Sequence, residues 1–238
     1  MSTRRTLDLV WISDSVGLYV APVYAYYVRR DLGVNVRVHD EWESGLTAKE
    51  VLFRLRRPSH RWVRLIRQAE VIFVSGNAYG LVTARGGDCV SNLEPPIDTR
   101  PQVYAKYVVT LKAIYKRIFA IRHGAPVILR TNNWYVPVIE HAPPPWSGYP
   151  PVSWRQAGVV EICTQNWEQL AAAIARAAAA YRVPVADLYS ALNGKSHLED
   201  PVAKGYIQGD GIHLNARGRK VFAKTLAALG YRRVRPPR

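Results

Sequence analysis

Cysteine, methionine and phenylalanine are scarce in this chain: 238 residues hold two, one and four of them. Two cysteines cannot build the multi-bridge framework of a small secreted scaffold. Cys89 and Cys163 also lack the Cys-x-x-Cys spacing of a structural zinc site. Negative charge is scarce as well, with 18 acidic residues against 33 basic ones, a formal net charge of +15 and a pI near 10.1. No long apolar run occurs near the start. The stretch 7–12 is interrupted by Asp8 and is too short for a membrane helix or the core of a secretory signal. The expectation is a chain with no integral membrane segment, located in the cytoplasm. In that reducing setting the two cysteines are expected as free thiols, one bridge being the alternative.

What is present suits a sizeable core. Hydrophobic residues make up 48% of the chain and seven are Trp, which points to one domain over 1–238 rather than to disorder. Short β-branched runs at 7–12, 34–38, 71–74, 127–129 and 183–185 are bounded by turn residues or charges and read as buried parallel strands. Helical stretches alternate with them: 16–30, 48–68 with a break at Pro58, 102–122, 166–181 and 216–229. Asn215 is a candidate N-cap for the last of these, and Gly230 a left-handed terminator. Strand and helix in alternation imply an α/β fold, a three-layer α/β/α sandwich with about five parallel strands. Ligands of such sheets bind at the carboxyl ends of the strands.

Chemistry-bearing residues follow those strand ends. Ser13-Asp14-Ser15 closes the first strand and is expected to open a helix, whose N-terminus would favour negative charge there. Far along the chain, Asp210-Gly211-Ile212-His213 sets a carboxylate three residues before an imidazole. A serine hydroxyl becomes a nucleophile when an imidazole takes its proton, and the imidazole needs an acceptor on its other nitrogen to hold the right tautomer. Asp210 could serve, as could a backbone carbonyl. Between these ends stand Glu43-Ser44-Gly45 and Ser75-Gly76-Asn77-Ala78, where a glycine N–H and an asparagine amide could donate to a developing oxyanion.

Serine, glycine, asparagine and histidine in this order resemble the SGNH, or GDSL-type, hydrolase family over residues 7–230. Ser13 stands where that family's Gly-Asp-Ser begins, and Ala78 where its Gly-x-Asn-Asp ends. The resemblance implies a flavodoxin-like hydrolase fold and metal-independent ester hydrolysis through an acyl-enzyme, with no cofactor. It implies Ser15 as nucleophile, His213 as general base and Asp210 as its orienter. The Ser15 and Gly45 N–H groups and the Asn77 amide would form the oxyanion hole, and Asp14 would anchor the turn. Acetylated carbohydrates, simple esters, lysophospholipids and thioesters are the substrates it implies.

Two features lie outside that pattern. Residues 131–163 hold three Trp, a run of three prolines and no periodicity. They read either as a lid or ligand platform or as plain cover for the sheet. The positive charge, with Arg54, Arg57, Arg61 and Arg64 at helical steps and a basic tail at 232–238, would attract polyanions weakly and non-specifically. A rival class is therefore a nucleic-acid or polyanion binding module on a catalytically idle hydrolase fold, although no nucleic-acid-binding signature accompanies the charge. His39-Asp40-Glu41 reads as a solvated loop rather than a metal site, because adjacent strand residues point apart.

Overall fold

The computed structural model describes residues 5–75, 89 and 101–237. Strand β1 (Thr6–Ser13) is apolar at five of its eight positions and buried without a break from Leu9 to Ser13, as suits a strand covered on both faces. It pairs in parallel with β2 (Asn35–Trp42) on one side and β3 (Val71–Val74) on the other. Beyond β3 lie β4 (Ile128–Asn132) and β5 (Val185–Ala186), so the five parallel strands run in the order β2-β1-β3-β4-β5.

The alternation of β1 divides the core. Val10 and Ile12 pack with Val51, Ile66, Ile114 and Ile174 of helices α2 (Ala48–Leu55), α3 (Arg61–Gln68), α4 (Pro101–Ile121) and α6 (Val160–Ala179). Leu9 and Trp11 face the other way, onto Tyr24 and Val28 of α1 (Val20–Leu32) and Phe222 and Leu226 of α8 (Ala216–Ala228). Helices thus cover both sides, giving the expected three-layer sandwich. Two further helices, α5 (Trp154–Ala157) and α7 (Leu188–Asn193), occur where no helix is legible in the sequence. The capping of α8 is as read: the Asn215 side chain accepts from Arg217 and Gly218 N–H, and Gly230 is left-handed at φ 66°.

Two expectations are corrected. Ser15 does not open α1. It begins a three-residue 3-10 helix, Ser15–Gly17, and α1 starts only at Val20. The reason is Pro22, which lacks an N–H to donate backwards and is tolerated only in a first helical turn. Cys89 and Cys163 are not free thiols but form a disulfide that fastens residue 89 to α6. Disulfides persist in oxidising compartments, so the bridge counts against the reducing setting on which that expectation rested. Among the described residues no helix is long and apolar enough to cross a membrane. Within 131–163, Trp134 and Trp154 are buried, whereas Trp146 is 71% exposed. The segment also supplies a third cluster, of Val136, Val138, Ile139 and Trp154 with Ile212.

A close approach fixes the turn after β1. A Cβ on Gly17 would fall 2.3 Å from the Ser13 Oγ and 2.6 Å from its Cβ. Both Ser13 and the Trp11 indole it bonds are fully buried, so neither can give way. Gly17→Ala is expected to destabilise the protein by about 1–3 kcal/mol, the usual cost of overpacking, read as a lower urea midpoint with an unchanged m-value.

Candidate active site

The chain reverses after β1 through hydrogen bonds of its own. The Asp14 side chain accepts from the Val16 N–H, and the Leu18 N–H donates to the Ser15 carbonyl at 3.2 Å. Beneath the turn, the Trp11 indole donates to Ser13 Oγ at 2.9 Å, and that hydroxyl donates to the Asp14 carbonyl at 3.1 Å. Ser15 is thereby presented at the carboxyl edge of the central strand.

His213 reaches it from the other end of the sequence. Its Nε2 lies 3.0 Å from Ser15 Oγ, and its Nδ1 lies 2.7 Å from Asp210 Oδ2. A carboxylate can only accept, so Nδ1 carries the proton and Nε2 is left to accept from the serine. Asp210 is itself held firmly. Its Oδ1 accepts from the Ile212 and His213 N–H groups, both at 2.9 Å, and its Oδ2 also accepts from Gln208 Nε2 at 2.8 Å. Burial alone would raise the Asp210 pKa, but these two backbone donors, His213 and Gln208 outweigh it and hold the group below its ordinary value. Asp210 therefore stays ionised through the neutral range. The stability this adds is present above pH 3.8 and is lost as the pH falls below it.

The loop carrying Asp210 and His213 is braced from the segment 131–163. Tyr135 Oη donates to the Ile212 carbonyl at 2.7 Å, and a Cβ on Gly211 would lie 3.0 Å from Pro143 Cα. Gln208 and Tyr135 escaped the sequence reading, because a glutamine near an aspartate and a lone tyrosine carry no signal until the fold brings them into contact.

Gly45 follows β2 in a left-handed conformation, φ 68°. The Glu43 N–H donates to the Ser13 carbonyl at 3.0 Å, which ties this loop to the turn before Ser15. Among the described residues no acceptor takes the N–H of Ser15 or of Gly45. Asn77 lies outside the described residues. The chain leading to it leaves β3 beside β1, where the Ser75 N–H donates to the Ile12 carbonyl at 2.9 Å. His39-Asp40-Glu41 is not a solvated loop but part of β2, with Glu41 buried, and its ends are engaged separately: His39 Nε2 is 2.8 Å from Asp8 Oδ1, while Glu41 accepts from Trp62 Nε1 at 2.9 Å. Among the described residues no group of three His, Cys, Asp or Glu could hold a metal ion.

A second serine, histidine and carboxylate meet at Ser190, His197 and Glu168, with Oγ–Nε2 at 3.0 Å and Nδ1–Oε1 at 2.5 Å. Distances alone do not separate this set from the first. Hydrogen-bond direction does. Ser190 Oγ donates to Asp187 Oδ2 at 2.5 Å, and Asp187 also caps α7 by accepting from the Ser190 N–H. A hydroxyl whose proton is committed to a carboxylate cannot offer it to an imidazole, so Ser190 is occupied in a helix cap.

No protein-family model matches the sequence, and no curated protein matches it. Solved structures match it in fold, over almost the full length of both chains. A lipase from a goat rumen metagenome superposes with a TM-score of 0.68 at 20% identity, covering 94% of this chain and 98% of its own. An acetyl xylan esterase from Geobacillus stearothermophilus gives 0.60 at 13% identity, with 98% of each chain covered. A GDSL-like lipase candidate from Parabacteroides merdae gives 0.62 at 11%, with 95% and 96% covered. The architecture is that of a hydrolase-type α/β/α sandwich. More narrowly, the protein has the SGNH, or GDSL-type, hydrolase fold.

A fluorophosphonate reacts with a serine whose proton an imidazole can accept. Peptide mapping after treatment is expected to find the adduct on Ser15 and none on Ser190, and Ser190→Ala is expected to label as well as wild type.

Proposed function

We propose that the protein is a serine-dependent carboxylic ester hydrolase of the SGNH type. One observation carries the reading: the continuous line from Ser15 Oγ through both nitrogens of His213 to Asp210. Ser15 attacks the ester carbonyl while His213 Nε2 takes its proton, and Asp210 stabilises the imidazolium that forms. His213 then returns the proton to the leaving alcohol, and an acyl-enzyme remains on Ser15. A water, deprotonated by the same nitrogen, releases the acid and restores the serine.

Negative charge on the tetrahedral oxygen would be met by the N–H groups of Ser15 and Gly45 and by the Asn77 amide. A three-residue 3-10 helix offers little dipole, so individual donors rather than a helix end supply this stabilisation. Small acyl esters, acetylated carbohydrates and longer acyl chains are the substrate classes suggested by lipases and an acetyl xylan esterase sharing the fold.

The cation surplus supports weak polyanion binding alongside this chemistry. Arg56, Arg57, Arg64 and Arg67 are exposed on or beside α2 and α3, while Glu41 and Glu43 of the same region are engaged by Arg61 and Arg54. Such binding is electrostatic, sensitive to salt and independent of Ser15.

Steady-state kinetics on p-nitrophenyl acetate tests the catalytic reading. Ser15→Ala is expected to fold normally and lose activity by about 10⁴-fold or more, because the triad acts as a unit. Asn77→Ala is expected to lower kcat by roughly 100-fold with little change in KM. Full activity in Ser15→Ala would refute the assignment, and a pure KM effect would remove Asn77 from the oxyanion hole.

A further inference from the structure

The turn that begins at Ser15 ends on Tyr19, which leaves the core instead of joining it. Tyr19 is 56% exposed and adopts φ 60°, the left-handed region that disfavours any residue with a Cβ. Strain of this kind persists where the surroundings impose it, and it clusters at ligand-binding and catalytic sites. Lying over the ring is the Arg219 guanidinium, 5.0 Å from the centroid. Arg219 belongs to the first turn of α8, the helix that starts three residues after His213, and its N–H donates to the Asn215 carbonyl at 2.9 Å. Ring and cation therefore converge from the turn that begins at Ser15 and from the helix that follows the His213 loop.

Apart from the Tyr19 ring, no contact among the described residues accounts for this cation. The helix dipole disfavours positive charge in a first turn, and α8 has no acidic residue there to offset it. Among the described residues no salt bridge engages Arg219. Its Nε is buried and has no hydrogen-bond partner among the described residues. A guanidinium stacked by one face on an aromatic ring, with its Nε turned inward, can still present its two terminal Nη groups to a carboxylate or phosphate and grip it with paired hydrogen bonds.

We infer that Arg219, held on Tyr19, is a specificity-determining residue that favours esters bearing an anionic oxygen group able to reach the α1–α8 side of the Ser15 turn. The inference rests on the esterase reading and names the kind of substrate that site prefers. Neutral esters would be turned over without this contact, whereas an anionic ester would be drawn to the α1–α8 side of Ser15. Carboxylate and phosphate share the required chemistry.

Three acetyl esters of matched leaving group test it: phenyl acetate, 4-acetoxybenzoate and 4-acetoxyphenyl phosphate. In the wild-type protein the ratio of kcat/KM for each anionic ester over phenyl acetate is expected to fall with added salt. Arg219→Ala is expected to lower that ratio by about five- to tenfold, the weight of one charge-assisted contact at a partly exposed site. Arg219→Lys should retain part of it. Tyr19→Asn, which tolerates the left-handed turn but removes the ring, should lower it as Arg219→Ala does. Loss confined to the benzoate or to the phosphate identifies which anion the site takes. An unchanged ratio, or equal losses on the neutral and anionic esters, overturns the inference. If the wild type hydrolyses none of the three, the esterase reading falls instead. Calorimetric binding of 4-acetoxybenzoate to Ser15→Ala, with and without Arg219→Ala, then still decides, and equal affinities would overturn the inference.

Discussion

The Trp11 side chain joins the core to the chemistry. Its ring stacks on Phe73 with centroids 3.8 Å apart and leans on Phe222 of α8 at 5.8 Å, while its indole N–H holds Ser13 Oγ at 2.9 Å. One residue thus packs β1 against β3 and α8 and fixes the turn that presents Ser15. The tilted Trp11–Phe222 pair has a separation at which aromatic pairs add about 0.5–1.5 kcal/mol beyond burial. The buried indole N–H also requires its acceptor, so packing and turn geometry cannot vary independently. Gly17 completes the arrangement by leaving room for Ser13.

Around that point the site is held together by short-range constraints and by contacts between segments far apart in the chain. The short-range constraints are Asp14 on Val16, and Asp210 on Ile212, His213 and Gln208. The longest-range of the distant contacts is that between His213 and Ser15, which the packing of α1 against α8 brings about across almost the whole sequence. The contrast with Ser190 shows why proximity is not enough: both serines face a histidine, but only Ser190 has already given its proton to a carboxylate. The segment 131–163 has a bracing part in this arrangement. Tyr135 and Pro143 press on the Asp210–His213 loop, and the buried Trp134 and Trp154 cover the core.

Where sequence reasoning went astray, a single competing constraint accounts for it. The apolar period after Ser15 runs on as if one helix covered it, but Pro22 confines α1 to a later start. The two cysteines lie 74 positions apart with nothing local to couple them, and only the packing of residue 89 beside α6 brings their Cα atoms to 5.6 Å. The polar Arg130 within β4 is fully buried, donating to the carbonyls of Leu129, Gly230 and Arg232 and so fastening the C-terminal segment to the sheet. No pattern in the strand announces that role.

What the sequence determined by itself was whatever depends on neighbours along the chain. Short β-branched runs between helical stretches suffice for a parallel α/β sandwich, because a strand covered on both faces is predominantly apolar. Asn215 and Gly230 delimit α8 through bonds within a turn, and an aspartate three residues before a histidine can orient it without help from elsewhere. Tertiary structure alone decided which serine receives an imidazole able to take its proton, which tryptophans are buried, and whether the cysteines meet. It also set Arg219 over Tyr19. Each of these depends on the distance and direction between groups far apart in the chain, which the docking of helices on the sheet sets and local pattern does not encode.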